Sequence, residues 1–133
     1  MGGGRRRGVR GVYLPTTVHI VDDEPSVRKA VSRLLRASGY NVAVYESAAE
    51  LLQRLATEKA CDCIVLDMVM PGINGRTVKE HLHRLGSVSP IVFMTGSDEP
   101  IPDGPEEVLI KPISKKDLLD AIERALRIAQ AAE

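Results

Sequence analysis

Five short apolar runs divide this chain, and stretches with helical periodicity lie between most of them. Such alternation predicts βαβ units and a parallel sheet. The predicted strands cover about 17–22, 41–45, 62–66, 90–94 and 107–110. In an open parallel sheet the carboxyl ends of the strands converge on one edge, where ligands bind. The residues that follow these runs are therefore the first candidates for a functional site.

Local signals mark the ends of the predicted helices. Pro25 begins the first helix, because proline suits the first turn. Ser47 and Glu50 form a capping box for the second helix, and Ser114 with Asp117 caps the last one. The third helix follows the loop 71–75 and is expected to run to about residue 85.

Composition describes one globular domain. The chain has 133 residues, of which 44% are apolar and 27% charged. We predict a disordered basic leader over 1–15, where all four arginines of the first 14 residues lie, and a single folded domain over 16–130. Beyond the leader, 14 basic residues face 18 acidic ones, so no direct nucleic acid binding is expected from the domain. No apolar stretch has the ~20 residues of a membrane span, and no signal peptide is evident. A cytoplasmic protein that does not bind membranes is expected.

Two cysteines, Cys61 and Cys63, are interpreted as packing residues beside or inside a strand. They lie two residues apart, which does not match a redox pair or a zinc site.

Chemically active residues follow four of the apolar runs: the pair Asp22 and Asp23, then Asp67, Thr95 and Lys111. Three carboxylates, a hydroxyl and an ammonium at one edge describe a site for a hard cation and a phosphoryl group. A carboxylate such as Asp67 can attack phosphorus as a nucleophile. Each residue also has a structural interpretation: a helix cap for the aspartate pair, turn residues for Asp67 and Thr95, and a surface lysine for Lys111. The order of all of them at strand ends favours the site.

The segments 18–24, 66–75, 94–96 and 110–112 resemble a response-regulator receiver domain of the FixJ type. The similarity covers about residues 16–129. It implies a flavodoxin-like, doubly wound α/β fold whose five-stranded parallel sheet has the order 2-1-3-4-5, with a cis peptide before Pro112. It also implies phosphorelay signal transduction: a phosphoaspartate switch that catalyses its own phosphorylation and dephosphorylation and is otherwise no enzyme.

The same resemblance assigns roles to the site. Asp67 would take the phosphoryl group from the phosphohistidine of a sensor histidine kinase or a phosphotransfer protein. Asp23, Asp67 and the backbone carbonyl of Val69 would ligate Mg²⁺, with Asp22 acting largely through water. Lys111 would pair with the phosphoryl group, and Thr95 would move toward it as the switch. A stand-alone monomer that signals by contact with an unknown downstream protein is expected.

The chain departs from the family pattern in two places. Val108 occupies the position that is usually Tyr or Phe, three residues before Lys111. The segment between Thr95 and Lys111 is about six residues short, and it contains three prolines and a glycine within 98–105. We therefore predict that the helix between the fourth and fifth strands is shortened or missing, and that dimerisation through this face is weak or absent.

Three alternative functions are compatible with parts of the sequence pattern. A haloacid-dehalogenase-like phosphatase would need an aspartate where this chain has Val69. A pure interaction module, never phosphorylated, would have no reason to keep three carboxylates that repel one another. A receiver fragment of a DNA-binding transcriptional regulator stays open, although no helix-turn-helix is encoded.

Overall fold

The computed structural model describes residues 5–7, 13–58, 62–70, 73–87, 89–96 and 104–131. Its centre is a five-stranded parallel sheet flanked by helices on both faces. The strands are β1 (Arg5–Arg7), β2 (Tyr13–Pro15), β3 (Thr17–Val21), β4 (Asn41–Tyr45), β5 (Cys63–Asp67), β6 (Val69–Met70), β7 (Ile73–Asn74), β8 (Ile91–Thr95) and β9 (Glu107–Ile110). The helices in the described ranges are α1 (Pro25–Ala37), α2 (Ala48–Thr57), α3 (Gly75–Arg84) and α4 (Lys115–Ala131).

The sheet has the order β4-β3-β5-β8-β9, and every neighbouring pair is parallel. Counted along the five core strands this is 2-1-3-4-5, which confirms the fold that the resemblance implied. All five predicted strands are found, each within about one residue of its expected ends. The reason is physical: every residue of β5 and β8 is buried, so these central strands read as uninterrupted apolar runs.

Two hydrophobic cores lie on opposite faces of the sheet. One contains Val18 and Ile20 of β3 and packs under α1 and α4. The other contains Val21 and packs under α2 and α3. Successive side chains of a strand point to opposite faces, which explains how one strand supplies both cores. The carboxyl edge of the sheet is thereby held between two rigid layers.

The predicted start of α1 and the predicted caps of α2 and α4 are found in the structure. Pro25 is the first residue of α1. The Ser47 hydroxyl accepts a hydrogen bond from the Glu50 N–H at 3.3 Å, and the Ser114 hydroxyl accepts one from the Asp117 N–H at 3.1 Å. Gly39, which follows α1, has a φ of 91°, a left-handed conformation that suits glycine at a helix end.

His19, a buried histidine in β3, packs against Tyr45 of β4. The two rings stack with centroids 5.6 Å apart, and His19 Nδ1 lies 2.8 Å from the Tyr45 hydroxyl oxygen. Burial lowers the pKa of His19, and the nearby Arg54 guanidinium lowers it further, whereas Asp62 and Glu58 act in the opposite direction. His19 is therefore a packed histidine of the sheet.

Two short segments of the predicted leader are described. Arg5–Arg7 and Tyr13–Pro15 pair as an antiparallel ladder in which Arg6 lies opposite Leu14. The disordered leader over 1–15 and the domain boundary at residue 16 stay predictions.

Two other predictions fall partly outside the described residues. Residues 97–103 of the shortened segment are not described, and no helix occurs at 104–106. Cys61 also lies outside the described residues, whereas Cys63 is a buried free cysteine in β5. The structure confirms packing for Cys63 alone.

Candidate functional site

The predicted site residues meet at the carboxyl edge of the sheet. Asp22 directly follows β3, Asp67 ends β5, Thr95 ends β8, and Lys111 directly follows β9. The register aligns these ends: Val21 lies opposite Leu66, Asp67 opposite Met94, and Thr95 opposite Ile110. The parallel sheet therefore brings together residues that are separated by up to 89 positions in sequence.

Four carboxylates form the acidic part of the site. Asp22, Asp23, Glu24 and Asp67 each offer one oxygen, and these oxygens all lie within 4.8 Å of one another. Asp22 and Asp67 are buried, whereas Asp23 and Glu24 are exposed. Carboxylates crowded in this way repel one another, so the cluster needs a positive charge.

Lys111 supplies a positive charge. Its Nζ lies 3.1 Å from Asp22 Oδ2, 3.3 Å from Asp67 Oδ2 and 3.4 Å from Glu24 Oε1. Partial burial by itself lowers the pKa of Lys111, but the carboxylates of Asp22 and Asp67 outweigh it and raise the pKa above its ordinary value. Lys111 is therefore a fixed ammonium that bridges three acids.

Three hydrogen bonds hold Asp22 in place. The Asp22 N–H donates to the Tyr45 carbonyl at 3.3 Å, and Asp22 Oδ1 accepts from the Glu24 N–H at 2.8 Å. Arg28 Nη1 donates to the Asp22 carbonyl oxygen at 2.7 Å. These bonds orient the Asp22 carboxylate so that Oδ2 faces Lys111.

A close approach of two elements fixes the loop after Asp67. The Met68 N–H donates to the Met94 carbonyl at 2.8 Å, and the Gly75 N–H donates to the Met68 carbonyl at 2.7 Å. A Cβ atom on Gly75 would lie 2.8 Å from Met68 Sδ and 3.1 Å from Phe93 Cε1, so only glycine fits here without rearrangement. The first residue of α3 is thereby packed against the strand ends that carry Asp67.

The donor set fits a hard divalent cation. Asp22 Oδ2 is buried and makes no directed hydrogen bond with the described residues, although the Lys111 ammonium lies close enough for an ion pair. Buried polar atoms nearly always have a hydrogen-bond partner. An oxygen without one, inside a group of four carboxylates, matches the oxygen ligands that Mg²⁺ prefers.

Thr95 and Val69 lie beside this centre. Thr95 is buried, its hydroxyl donates a long 3.4 Å hydrogen bond to the Gly96 carbonyl, and its own carbonyl accepts from the Lys111 N–H at 2.8 Å. Val69 lies in β6, two residues after Asp67, and pairs with Asn74 of β7. The peptide bond between Lys111 and Pro112 is cis, as expected.

Sequence reasoning missed two residues of this site. The sequence assigned no role to Glu24, yet its carboxylate contacts Lys111. It assigned none to Arg28 either, yet the Arg28 side chain holds the Asp22 backbone carbonyl. The position of Glu24 directly after Asp22 and Asp23 could have indicated that it belongs to the site. The contact of Arg28 depends on how α1 is oriented relative to the sheet, and the spacing of residues in the sequence does not give this orientation.

Fold and site together are those of an open α/β domain whose carboxyl edge carries an acidic cluster bridged by lysine. The family model described as "Response regulator receiver domain" matches residues 18–123. The chain belongs to this family, and its function is therefore phosphorelay signal transduction, in which receiver domains partner with histidine kinases. The match to this family does not favour the phosphatase alternative.

Individual relatives agree with this assignment. The response regulator protein TmoT of Ectopseudomonas mendocina is 37% identical, with 86% of this chain and 54% of TmoT covered. The tetrathionate response regulatory protein TtrR of Salmonella typhimurium is 35% identical, with 87% of this chain and 59% of TtrR covered. The chain thus spans somewhat over half the length of these curated relatives.

Solved structures give the same result. The response regulator StyR is 37% identical with a TM-score of 0.79, covering 89% of this chain and 62% of that chain. The FixJ-N crystal structure is 31% identical with a TM-score of 0.75, covering 84% of this chain and 94% of that chain. In the described part of this chain, no helix has both the length and the apolar character required to cross a membrane.

Proposed function

We propose that Asp67 accepts a phosphoryl group from the phosphohistidine of a sensor histidine kinase or a phosphotransfer protein. The observation that carries the proposal is the position of the Asp67 carboxylate. It is buried at the end of a central strand, it lies within the acidic cluster, and its Oδ2 is 3.3 Å from the Lys111 ammonium.

The chemistry follows from these groups. A carboxylate oxygen of Asp67 attacks phosphorus, an O–P bond forms, and the P–N bond to the donor histidine breaks with its electron pair returning to the imidazole. Lys111 pairs with one phosphoryl oxygen as a point charge. The Thr95 hydroxyl donates to another phosphoryl oxygen, and this movement is the proposed switch. The same groups would support hydrolysis of the acyl phosphate.

Magnesium is the proposed cofactor. Asp22, Asp23, Asp67 and the Val69 backbone carbonyl would hold it, with Asp23 as a direct ligand and Asp22 acting largely through water. When bound, the ion would neutralise charge on the carboxylates and on the phosphoryl oxygens. The buried Asp22 Oδ2, which makes no directed hydrogen bond with the described residues, supports this assignment.

The output in this proposal is contact with a downstream protein. The chain acts as a monomer in the cytoplasm, without direct contact to nucleic acid or membrane. Half-buried Val108 cannot provide the aromatic rotamer of many receivers. The signal would therefore depend on Thr95 and the loops around the site.

Intact-mass spectrometry tests the assignment of Asp67. Incubation with acetyl phosphate and magnesium should add one phosphoryl group that is stable to acid and labile to base. The variant Asp67→Asn should stay unmodified, because an amide is a poor nucleophile. Asp120→Asn is the matched control, since Asp120 belongs to α4, is not part of the acidic cluster and pairs with Lys116 at 2.8 Å. Equal labelling of Asp67→Asn and the control would show that another residue accepts the group.

A further inference from the structure

Glu24 has an unusual position at the start of α1. It is the N-cap residue of the helix, yet its side chain makes no capping hydrogen bond. Its backbone is fixed on both sides, because its N–H donates to Asp22 Oδ1 at 2.8 Å and its carbonyl accepts from the Arg28 N–H at 3.1 Å. The carboxylate extends instead to Lys111, with 3.4 Å between Oε1 and Nζ.

The three carboxylates on Lys111 differ in exposure. The side chains of Asp22 and Asp67 are 0% and 5% exposed, whereas that of Glu24 is 57% exposed. Three carboxylates surround the Lys111 ammonium: it donates hydrogen bonds to Asp67 and Glu24, and Asp22 Oδ2 lies 3.1 Å away as an ion pair. A phosphoryl oxygen that pairs with Lys111 would compete with these carboxylates for the ammonium.

Exposure decides which carboxylate yields. Separating Asp22 from Lys111 would leave a fully buried carboxylate whose Oδ2 has no directed hydrogen bond, a costly arrangement. Separating Glu24 from Lys111 releases its carboxylate to water, and exposed ion pairs contribute little. Asp67 is itself the proposed nucleophile and must stay. Glu24 is thus the group that a phosphoryl oxygen displaces most easily.

We infer that Glu24 is a positioning residue: it holds Lys111 from the solvent side in the unphosphorylated protein and competes with the phosphoryl group for that ammonium. The inference rests on the proposed function of Asp67. Glu24 acts only through Lys111, so it sets the rate and equilibrium of phosphorylation and is not the group that reacts.

Removing the competitor should favour phosphorylation. With acetyl phosphate as donor, an Asp67 oxygen bonds to phosphorus, the bond from phosphorus to the acetyl oxygen breaks, and acetate leaves with the electron pair. In Glu24→Gln, Lys111 is released from one carboxylate, so the reaction should be about two- to fivefold faster, the range that an exposed ion pair supports. Binding of beryllofluoride, a mimic of the phosphoryl group, should tighten by a similar factor.

Two variants separate contact from charge. Glu24→Asp keeps the charge, but aspartate is shorter and is a preferred N-cap residue, so its carboxylate should turn to the helix. It should therefore be phosphorylated faster, like Glu24→Gln, although the helix is capped better. Glu46→Gln removes an exposed acid beside the same edge whose nearest ion pair is with Arg28 at 3.9 Å, and it should leave the rate unchanged.

The experiment measures phosphorylation rates by intact mass at saturating magnesium, and beryllofluoride affinity by calorimetry, for wild type and the three variants. Faster modification and tighter binding in both Glu24 variants, with Glu46→Gln unchanged, support the inference. Equal rates in wild type and Glu24→Gln overturn it, as does an equal gain in Glu46→Gln, which would indicate general electrostatics. Slower modification of Glu24→Gln would show that Glu24 assists phosphorylation rather than competing with the phosphoryl group, and would also overturn the inference. If wild type is not modified at all, the proposed function of Asp67 fails and the inference fails with it.

Discussion

Replacing Lys111 by methionine tests how far the site depends on one ammonium. The substitution keeps an unbranched side chain of similar length and removes the charge. It leaves the buried carboxylates of Asp22 and Asp67 without the cation that lies 3.1 Å and 3.3 Å away. We expect Lys111→Met to lower the free energy of unfolding in the absence of magnesium.

The magnitude follows from burial. Breaking a buried ion pair by removing one partner costs about 3–5 kcal/mol. The Lys111 side chain is 21% exposed, so water screens part of this, and we expect about 2–3 kcal/mol. For a chain of this size that corresponds to a melting temperature lower by roughly 6–12 °C. The pKa of Lys111 is raised above its ordinary value of 10.5, so its stabilisation is fully present below that pH and is lost as the pH rises through the higher folded-state pKa.

Thermal unfolding at about pH 7.5, followed by circular dichroism with and without magnesium, measures the effect. Magnesium should raise the melting temperature of Lys111→Met more than that of wild type, because the ion supplies the missing positive charge. Lys116→Met is the control: that lysine is 84% exposed and pairs with Asp120 on the surface of α4, so no measurable change in stability is expected. A Lys111→Met protein as stable as wild type, with the same response to magnesium, would refute the electrostatic account of the site.

Two further predictions concern the support of the site. The lowered pKa of His19 means that the unfolded chain binds the proton more readily, so stability should be full above the ordinary pKa of 6.5 and decline as the pH falls toward the folded-state pKa. Urea unfolding between about pH 7.5 and 5.5 should show this decline in stability for wild type and for the exposed control His83→Gln. The dependence of stability on pH should be weaker in His19→Phe. The same pH dependence in all three proteins would contradict the prediction. Gly75→Ala should lower the free energy of unfolding by about 1–3 kcal/mol, because the new Cβ would lie 2.8 Å from Met68 Sδ. Urea unfolding of Gly75→Ala and of the exposed control Arg76→Ala measures this difference. Equal stability of the two variants would show that Met68 moves aside at little cost.

The sequence was sufficient to predict the sheet and the positions of the candidate site residues, because both depend on patterns along the chain. A buried parallel strand is an uninterrupted apolar run, and the residue after it must lie at the carboxyl edge. Asp67 and Lys111 could therefore be assigned to one edge although 44 residues separate them. The strand order itself came from the resemblance, because local periodicity contains no information on which strands are neighbours.

Contacts between side chains could not be predicted in the same way. His19 and Tyr45 stack because β3 and β4 pair in one particular register, with Val21 opposite Tyr45. The helix caps at Ser47 and Ser114 involve only neighbours in sequence, so the sequence was sufficient to predict them. The ladder between β1 and β2 depends on pairing between two strands of three residues each, and strand propensity over three residues does not reveal such pairing.

The position of Glu24 shows why a sequence motif does not predict the electrostatic role of each residue in it. The motif places three acids in a row, but only the folded backbone makes Asp22 buried and Glu24 exposed. Burial determines the cost of separating each carboxylate from Lys111. The Asp22 carboxylate would be left as an unpaired buried charge, whereas the Glu24 carboxylate can move into water. Identical charges two residues apart in sequence, on Asp22 and Glu24, therefore have different energetic roles. The division between a fixed acid and an exchangeable acid around Lys111 is a property of the fold, and the three Glu24 and Glu46 variants measure it directly.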